Sequence, residues 1–291
     1  MVEDNLLVSK TISPSLVKRT LELSVESLSS FGEMYREAVV QFQQAHGHGH
    51  MFCHYSVAII NNMIKFVSVF QVSKYQRNNR AQDCRHCVYV YEVERIKLLN
   101  SLKETEKKWT DNSSEDPHLS YKDVFLEISY KALLCLIDNL FSKVGQHFSE
   151  LFDESWLTNV ESNPVGEICN SFNETFEIFD KLNSESYSRL WNIVRRRSIV
   201  HYLTAMMKRK ISLATPEDRS AGVAKIREDE SLFNEFFAAM ETEELQIDSE
   251  ISFDVLNHVS NVVAADEEML TFELMTLIRK AAQLILNENL L

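Results

Sequence analysis

The sequence predicts an all-α protein of antiparallel helices, and three observations carry that reading. Gly and Pro are scarce, 6 and 4 among 291 residues, too few for the turns of a β-sandwich or a glycine-rich phosphate cradle. Apolar residues recur at gaps of three, four and seven, the period of an amphipathic helix. The breaks between these runs carry helix-start signals at Ser13-Pro14, Pro164 and Thr215-Pro216-Glu217-Asp218.

Taken in order, the first helix opens at Ser13-Pro14 and runs to about Gln44. The HGHGH stretch, His46 to His50, is the turn, because its two glycines sit poorly in a helix. A second helix is expected from about Met51 to Tyr75, with Tyr55, Ile59, Met63, Phe66 and Phe70 on one ridge. Cys53, Val57, Ile60, Ile64 and Val67 form the next ridge, so this helix is expected to be central, with Asn62 beside the core. A polar stretch, Gln76 to Asp83, precedes a third helix ending near Trp109. Thr110 to His118 reads as a surface linker. One long helix then spans Ser120 to about Leu157, a break covers Asn159 to Asn163, and Pro164 opens the next helix.

The organising stretch is Leu190 to Phe237, read as a long helix, a four-residue break and a returning helix. Leu190, Ile193, Val200, Leu203, Met207 and Ile211 share one side of the first arm. Arg197, His201 and Lys208 lie on a neighbouring ridge, with Arg195 and Arg209 close by. Thr215 caps the return helix, Pro216 suits its first position, and the acids that follow complement its dipole. Two acidic helices, about Ser249–Val263 and Glu267–Leu286, close the chain. The expected division is a helical bundle over residues 1–157 and a C-terminal bundle over 158–291.

The net charge of −13 is uneven. Residues 195–227 carry nine basic and two acidic side chains, a net of +7, whereas residues 228–291 carry fifteen acidic and two basic, a net of −13. So acidic a protein is not expected to bind nucleic acid, yet a local basic patch can engage an anionic surface in a salt-dependent way. Arg195, Arg197, Lys208, Arg209 and Lys210 are the candidate patch for anionic lipid or a partner protein. The competing account is a solvated helix face. The start of the chain carries neither a secretory leader nor a myristoylation glycine, and its end is no prenylation box. The most apolar run, Val57 to Phe70, is interrupted by Asn61, Asn62 and Lys65, as in a buried helix rather than a membrane span. Five cysteines, an odd number, fit reduced thiols and a cytoplasmic setting.

Chemistry is sparse. Cys84-Arg85-His86-Cys87 is a CxxC, preceded by His46, His48, His50, Cys53 and His54, ligand types that zinc prefers. The second set is irregularly spaced and lies partly in a loop, and a redox CxxC needs a βαβ setting this chain lacks. No metal site is therefore expected. No nucleotide-binding loop, nucleophile elbow or HExxH occurs, so no cofactor and no catalytic residue is expected.

Four blocks resemble the exocyst complex component 3 family. They are YSVAIINNMIKF (Tyr55–Phe66), LIDNLFSKVGQHFSELFDESWL (Leu136–Leu157), PVGEICNSFNETFEIFDKL (Pro164–Leu182) and the basic-to-charged hairpin RRRSIVHYLTAMMKRKISLATPEDRSAGVAKIREDESLFNEFF. LTFELMTLIRK resembles the family's closing segment. The chain looks like a C-terminal helical region, or a short divergent member near the exocyst component 3-like and tumour-necrosis-factor-alpha-induced protein 2 branch. That resemblance implies stacked antiparallel bundles forming an elongated rod of the tethering-complex type. It also implies a non-enzymatic role in vesicle tethering, docking and exocytosis at the periphery of the plasma membrane. The partners implied are exocyst subunits and SNARE proteins. The alternative is a phosphoinositide-binding, membrane-remodelling module acting with a Ral-type small GTPase on anionic phospholipid.

Overall fold

The computed structural model describes residues 8–9, 11–47, 49, 51–71, 121–159, 161–208, 211–241, 248 and 251–286. Among them every extended regular element is a helix: α1 (Pro14–His46), α2 (Phe52–Gln71), α3 (Tyr121–Glu150), α4 (Glu154–Thr158), α5 (Pro164–Phe179), α6 (Ser184–Met207), α7 (Pro216–Ala239), α8 (Val255–Ala264) and α9 (Glu267–Leu286). No helix is long and apolar enough to cross a membrane. The third helix expected before Trp109, with the linker after it, lies outside the described residues.

The chain divides into two units, residues 1–135 and 136–291, with the boundary inside α3. In the first unit α1 starts as expected, Ser13 accepting a hydrogen bond from the Leu16 amide at 3.2 Å with Pro14 behind it. The turn after His46 returns the chain, so Phe42 meets Phe52 and Tyr55 at ring separations of 6.2 and 5.6 Å. Val39, Met63, Val67, Val124, Phe125 and Ile128 form the core, with Leu28, Tyr35, Ile59 and Phe66 packed against it. Phe66 lies 4.5 Å from Phe125, centroid to centroid. Gly32 marks where α1 and α3 touch, since a Cβ there would stand 2.9 Å from Val124 Cγ1.

Of the two ridges predicted on α2, Cys53, Val57, Ile60 and Val67 on one are buried with Ile64 half-buried, whereas on the other Met63 is buried, Ile59 and Phe66 are half-buried and Tyr55 is exposed. Asn62 faces solvent. It does not lie against the core, because the buried stripe through Ser56, Ile60, Met63 and Val67 leaves it on nearly the opposite side of the helix.

In the second unit the predicted single helix to Leu157 is broken. Phe152 adopts φ 60°, and Asp153 then caps α4 by accepting from the Trp156 amide at 2.9 Å. An aspartate that bonds an amide three residues on competes with helix continuation, and burial of Leu151, Phe152 and Trp156 holds the break. Asn163 and Pro164 open α5 as expected, with Asn163 accepting from the Gly166 amide at 2.9 Å. The core is aromatic: Phe172, Phe176, Trp191, Phe233, Phe237 and Phe253 are all buried. Trp191 meets Phe176 and Phe237 at 5.3 and 4.9 Å, and Phe233 stacks on Phe253 at 4.6 Å. Such offset and edge contacts add to the area each ring removes from water. The first acidic helix starts later than expected, at Val255, because Ile251 and Phe253 are buried from a non-helical segment ahead of it.

Candidate functional site

The hairpin of α6 and α7 forms as predicted, with two corrections. α6 ends at Met207, so the connection covers 208–215 rather than four residues, and Ile211 lies in it. Met207 is exposed instead of joining the apolar side. Thr215 caps α7, accepting from the Asp218 amide at 3.1 Å. Leu213 folds over Gly222, and a Cβ at that glycine would lie 3.3 Å from the leucine methyls.

Three consecutive arginines leave α6 in three directions, as a turn of 100° per residue requires. Arg195 is largely buried, 3.6 Å from Glu241, with its guanidinium 6.0 Å from the centre of the Phe253 ring. Burial lowers its pKa, against the opposing pull of Glu241, Asp254 and Asp248. Arg196 is 3% exposed and donates to Asp248 at 3.3 Å, while its Nε and Nη1 have no partner. Arg197 points to Asp138 on α3. One turn further on, the ring of His201 lies 5.0 Å from Phe141 and 5.1 Å from Phe148. Burial depresses its pKa first, and Arg197 and Lys208 add to the effect, so its ring favours the neutral form. Lys208 is exposed at the helix end, and Arg209 and Lys210 lie outside the described residues. The described three therefore do not share one face: Arg195 and Arg197 are engaged on separate neighbours, and Lys208 alone is open to solvent.

The polar centre of this unit is a residue that the sequence reading passed over. Asp229 on α7 is fully buried, and its Oδ2 accepts from Tyr202 Oη at 2.8 Å and Trp156 Nε1 at 3.1 Å. It ties α4 and α6 to α7 with two hydrogen bonds. Its Oδ1 is buried without a partner. Desolvation pushes its pKa up to about 7, although both hydrogen bonds and Lys225 pull it down. Next to it, Glu230 accepts from Asn257 Nδ2 on α8 at 2.7 Å. The signal was present: acids at 229 and 230 fall on a ridge whose other members, Ile226, Phe233 and Phe237, are apolar. A Trp and a Tyr in the core also need partners.

This arrangement is a structural clamp rather than a reaction centre. Cys169, the thiol near Asp229, is pushed up to about 12 by burial and then by that carboxylate, so it stays protonated and unreactive. No group of three or more His, Cys, Asp or Glu that could hold a metal exists among the described residues. The CxxC at Cys84 and Cys87 lies outside them.

A helical bundle whose most buried carboxylate ties three helices together directs attention to its surfaces and relatives. The family model described as Exocyst complex component Sec6 matches residues 1–284. The chain belongs to this family. The Sec6 match extends beyond both ends of the four resembling blocks, taking in all of α1 and almost all of α9. Exocyst complex component 3 of Drosophila melanogaster is 22% identical over 284 residues, which cover 96% of this chain and 34% of that protein. The chain thus spans about a third of the length of this Sec6-family relative. No solved structure matches it.

Proposed function

We propose that this chain is a helical scaffold for vesicle tethering in exocytosis, acting through contacts with other exocyst subunits and with SNARE proteins. It works from the cytoplasm at the periphery of the plasma membrane. The observation that carries this reading is the Sec6 family match over residues 1–284, nearly the whole chain. The physical reading agrees with it: Asp229 and Glu230 clamp α4, α6 and α8 to α7, which suits a rigid surface for docking proteins. Affinity capture of the full chain from cytosol, with quantification of exocyst subunits and SNAREs, tests it. Co-enrichment of both supports the reading. Retrieval of neither overturns it.

A second reading is contact with anionic phospholipid in concert with a Ral-type small GTPase. It is favoured by exposed Lys208 at the end of α6, followed in sequence by Arg209 and Lys210. Short polybasic clusters gain about 1 kcal/mol per cation beside an anionic bilayer. Cosedimentation with phosphoinositide vesicles reads this directly.

A further inference from the structure

Two serines in this chain follow runs of cations: Ser198 after Arg195-Arg196-Arg197, and Ser212 after Lys208-Arg209-Lys210-Ile211. Cations two and three residues ahead of a hydroxyl are the charge pattern by which basophilic protein kinases select substrates, pairing them with their own acidic groups. By sequence the two are near equals, and Ser198 has the denser run. The structure separates them.

Ser198 lies inside α6, is fully buried and donates from Oγ to the Val194 carbonyl at 2.9 Å. Ile199 and Tyr202 beside it are fully buried too. A kinase takes its substrate as an extended segment, so reaching Ser198 means unwinding α6 and opening the core of this unit. Ser212 differs on each count. It is exposed, in the non-helical connection between α6 and α7, with Ala214 and Thr215 exposed beside it. Its hydroxyl makes no hydrogen bond among the described residues, whereas those of Thr204 and Thr215 are committed to Val200 and Asp218. Leu213 holds the stretch against Gly222 on α7, and the Ala214 carbonyl accepts from Arg219 at 3.2 Å. Drawing the connection into a cleft breaks those local contacts and leaves the cores of both helices intact. Leu213 also follows the hydroxyl directly, where an apolar side chain fills the next subsite of such a kinase.

We infer that Ser212 is the phosphoacceptor of a basophilic protein kinase. The γ-phosphoryl group of ATP passes to Oγ, its bond to the β-phosphate oxygen breaks and ADP leaves, while the hydroxyl proton goes to the kinase's catalytic base. The phosphate brings a charge of about −1.5 to −2, within four residues of Lys208, Arg209 and Lys210. It offsets at least half of their charge, which opposes contact of this connection with an anionic surface. Phosphate incorporation is measured without vesicles or partners, so it stands or falls apart from both functional readings.

The test is to incubate the full, folded chain with ATP and the catalytic subunit of cyclic-AMP-dependent protein kinase, then locate the phosphate by mass spectrometry. Phosphate is expected at Ser212 and not at Ser198. Ser212→Ala should lower the rate of incorporation at least tenfold with an unchanged helical signal, because its side chain lies in solvent. Arg209→Ala/Lys210→Ala should lower it at least tenfold as well, with Ser212 still present. Phosphate at Ser198 in place of Ser212, or no incorporation by the folded parent, overturns the inference. So does either variant labelled as fast as the parent, since the hydroxyl or the charges before it then play no part.

Discussion

Asp229 is the residue on which the second unit turns, and its ionisation links stability to pH. Its folded-state pKa of about 7 lies above the unfolded value of about 3.9. The native state therefore holds a proton that the unfolded chain releases between about pH 4 and 7, and stability falls as pH rises through that window. Going from pH 8 to 5.5, this one group should add about 2 kcal/mol to the free energy of unfolding. Asp229→Asn keeps an oxygen for Tyr202 and Trp156 but cannot ionise. Urea unfolding at the two pH values is expected to show the parent gaining about 2 kcal/mol over the variant on acidification. Parallel curves would show that Asp229 does not titrate there. Asp229→Ala should cost about 2–5 kcal/mol at pH 5.5 by orphaning a buried hydroxyl and an indole N–H, and about 2 kcal/mol less at pH 8, where the parent's own carboxylate is ionised. The anomaly itself was visible in the sequence, as a carboxylate on an apolar ridge. Its partners were not visible, because Trp156 and Asp229 lie 73 residues apart and periodicity reports only which side of a helix a residue occupies.

Among the elements, helix starts were legible where a capping side chain and a proline coincide. Ser13-Pro14, Asn163-Pro164 and Thr215-Pro216 all begin helices with the cap bonded. Helix ends and breaks were less legible. The kink at Phe152 lies in a stretch whose spacing continues a helix, and the Asp153 cap together with burial of Leu151, Phe152 and Trp156 favours the turn. The late start of α8 has the same cause, since burial of Ile251 and Phe253 comes from the fold and not from local propensity. Two substitutions separate local from tertiary effects. Thr215→Ala should cost about 1 kcal/mol through the lost cap, with no change in the core. Gly32→Ala, which would ordinarily stabilise a helix by about 1 kcal/mol, should gain nothing or destabilise. Its Cβ meets the stiff, branched Val124 at 2.9 Å and pushes α1 from α3. Thermal denaturation of both variants checks the pair, and a clear rise in Tm for Gly32→Ala would show that α1 and α3 do not pack as closely as described.

For the molecule as a whole the informative quantity is charge, and the structure changes which cations can act outward. The division into bundles at residues 1–157 and 158–291 is a proposal that limited proteolysis reads, with the first cut expected beside exposed Asn159 or Glu161. The basic stretch lies within a chain of net charge −13, and the acids that follow it already engage Arg195 and Arg196 through Glu241 and Asp248. Reversing Arg197 would set a glutamate against Asp138, so that variant reports on packing and not on lipid. The test of the second reading is therefore Lys208→Glu/Arg209→Glu/Lys210→Glu. At about 1 kcal/mol per cation near an anionic bilayer, removing three should lower vesicle binding by roughly a hundredfold, and reversal by more. The fold should survive with only the small loss of a cation at the negative end of α6. Binding by the parent should also weaken between low and physiological salt, as the screening length shortens to about 8 Å. Cosedimentation with phosphoinositide vesicles, run beside Arg197→Glu, separates the cases. If the triple variant binds as the parent does, or the parent fails to bind at low salt, the cluster is a solvated helix end or a protein contact, and the scaffold reading stands without a membrane arm.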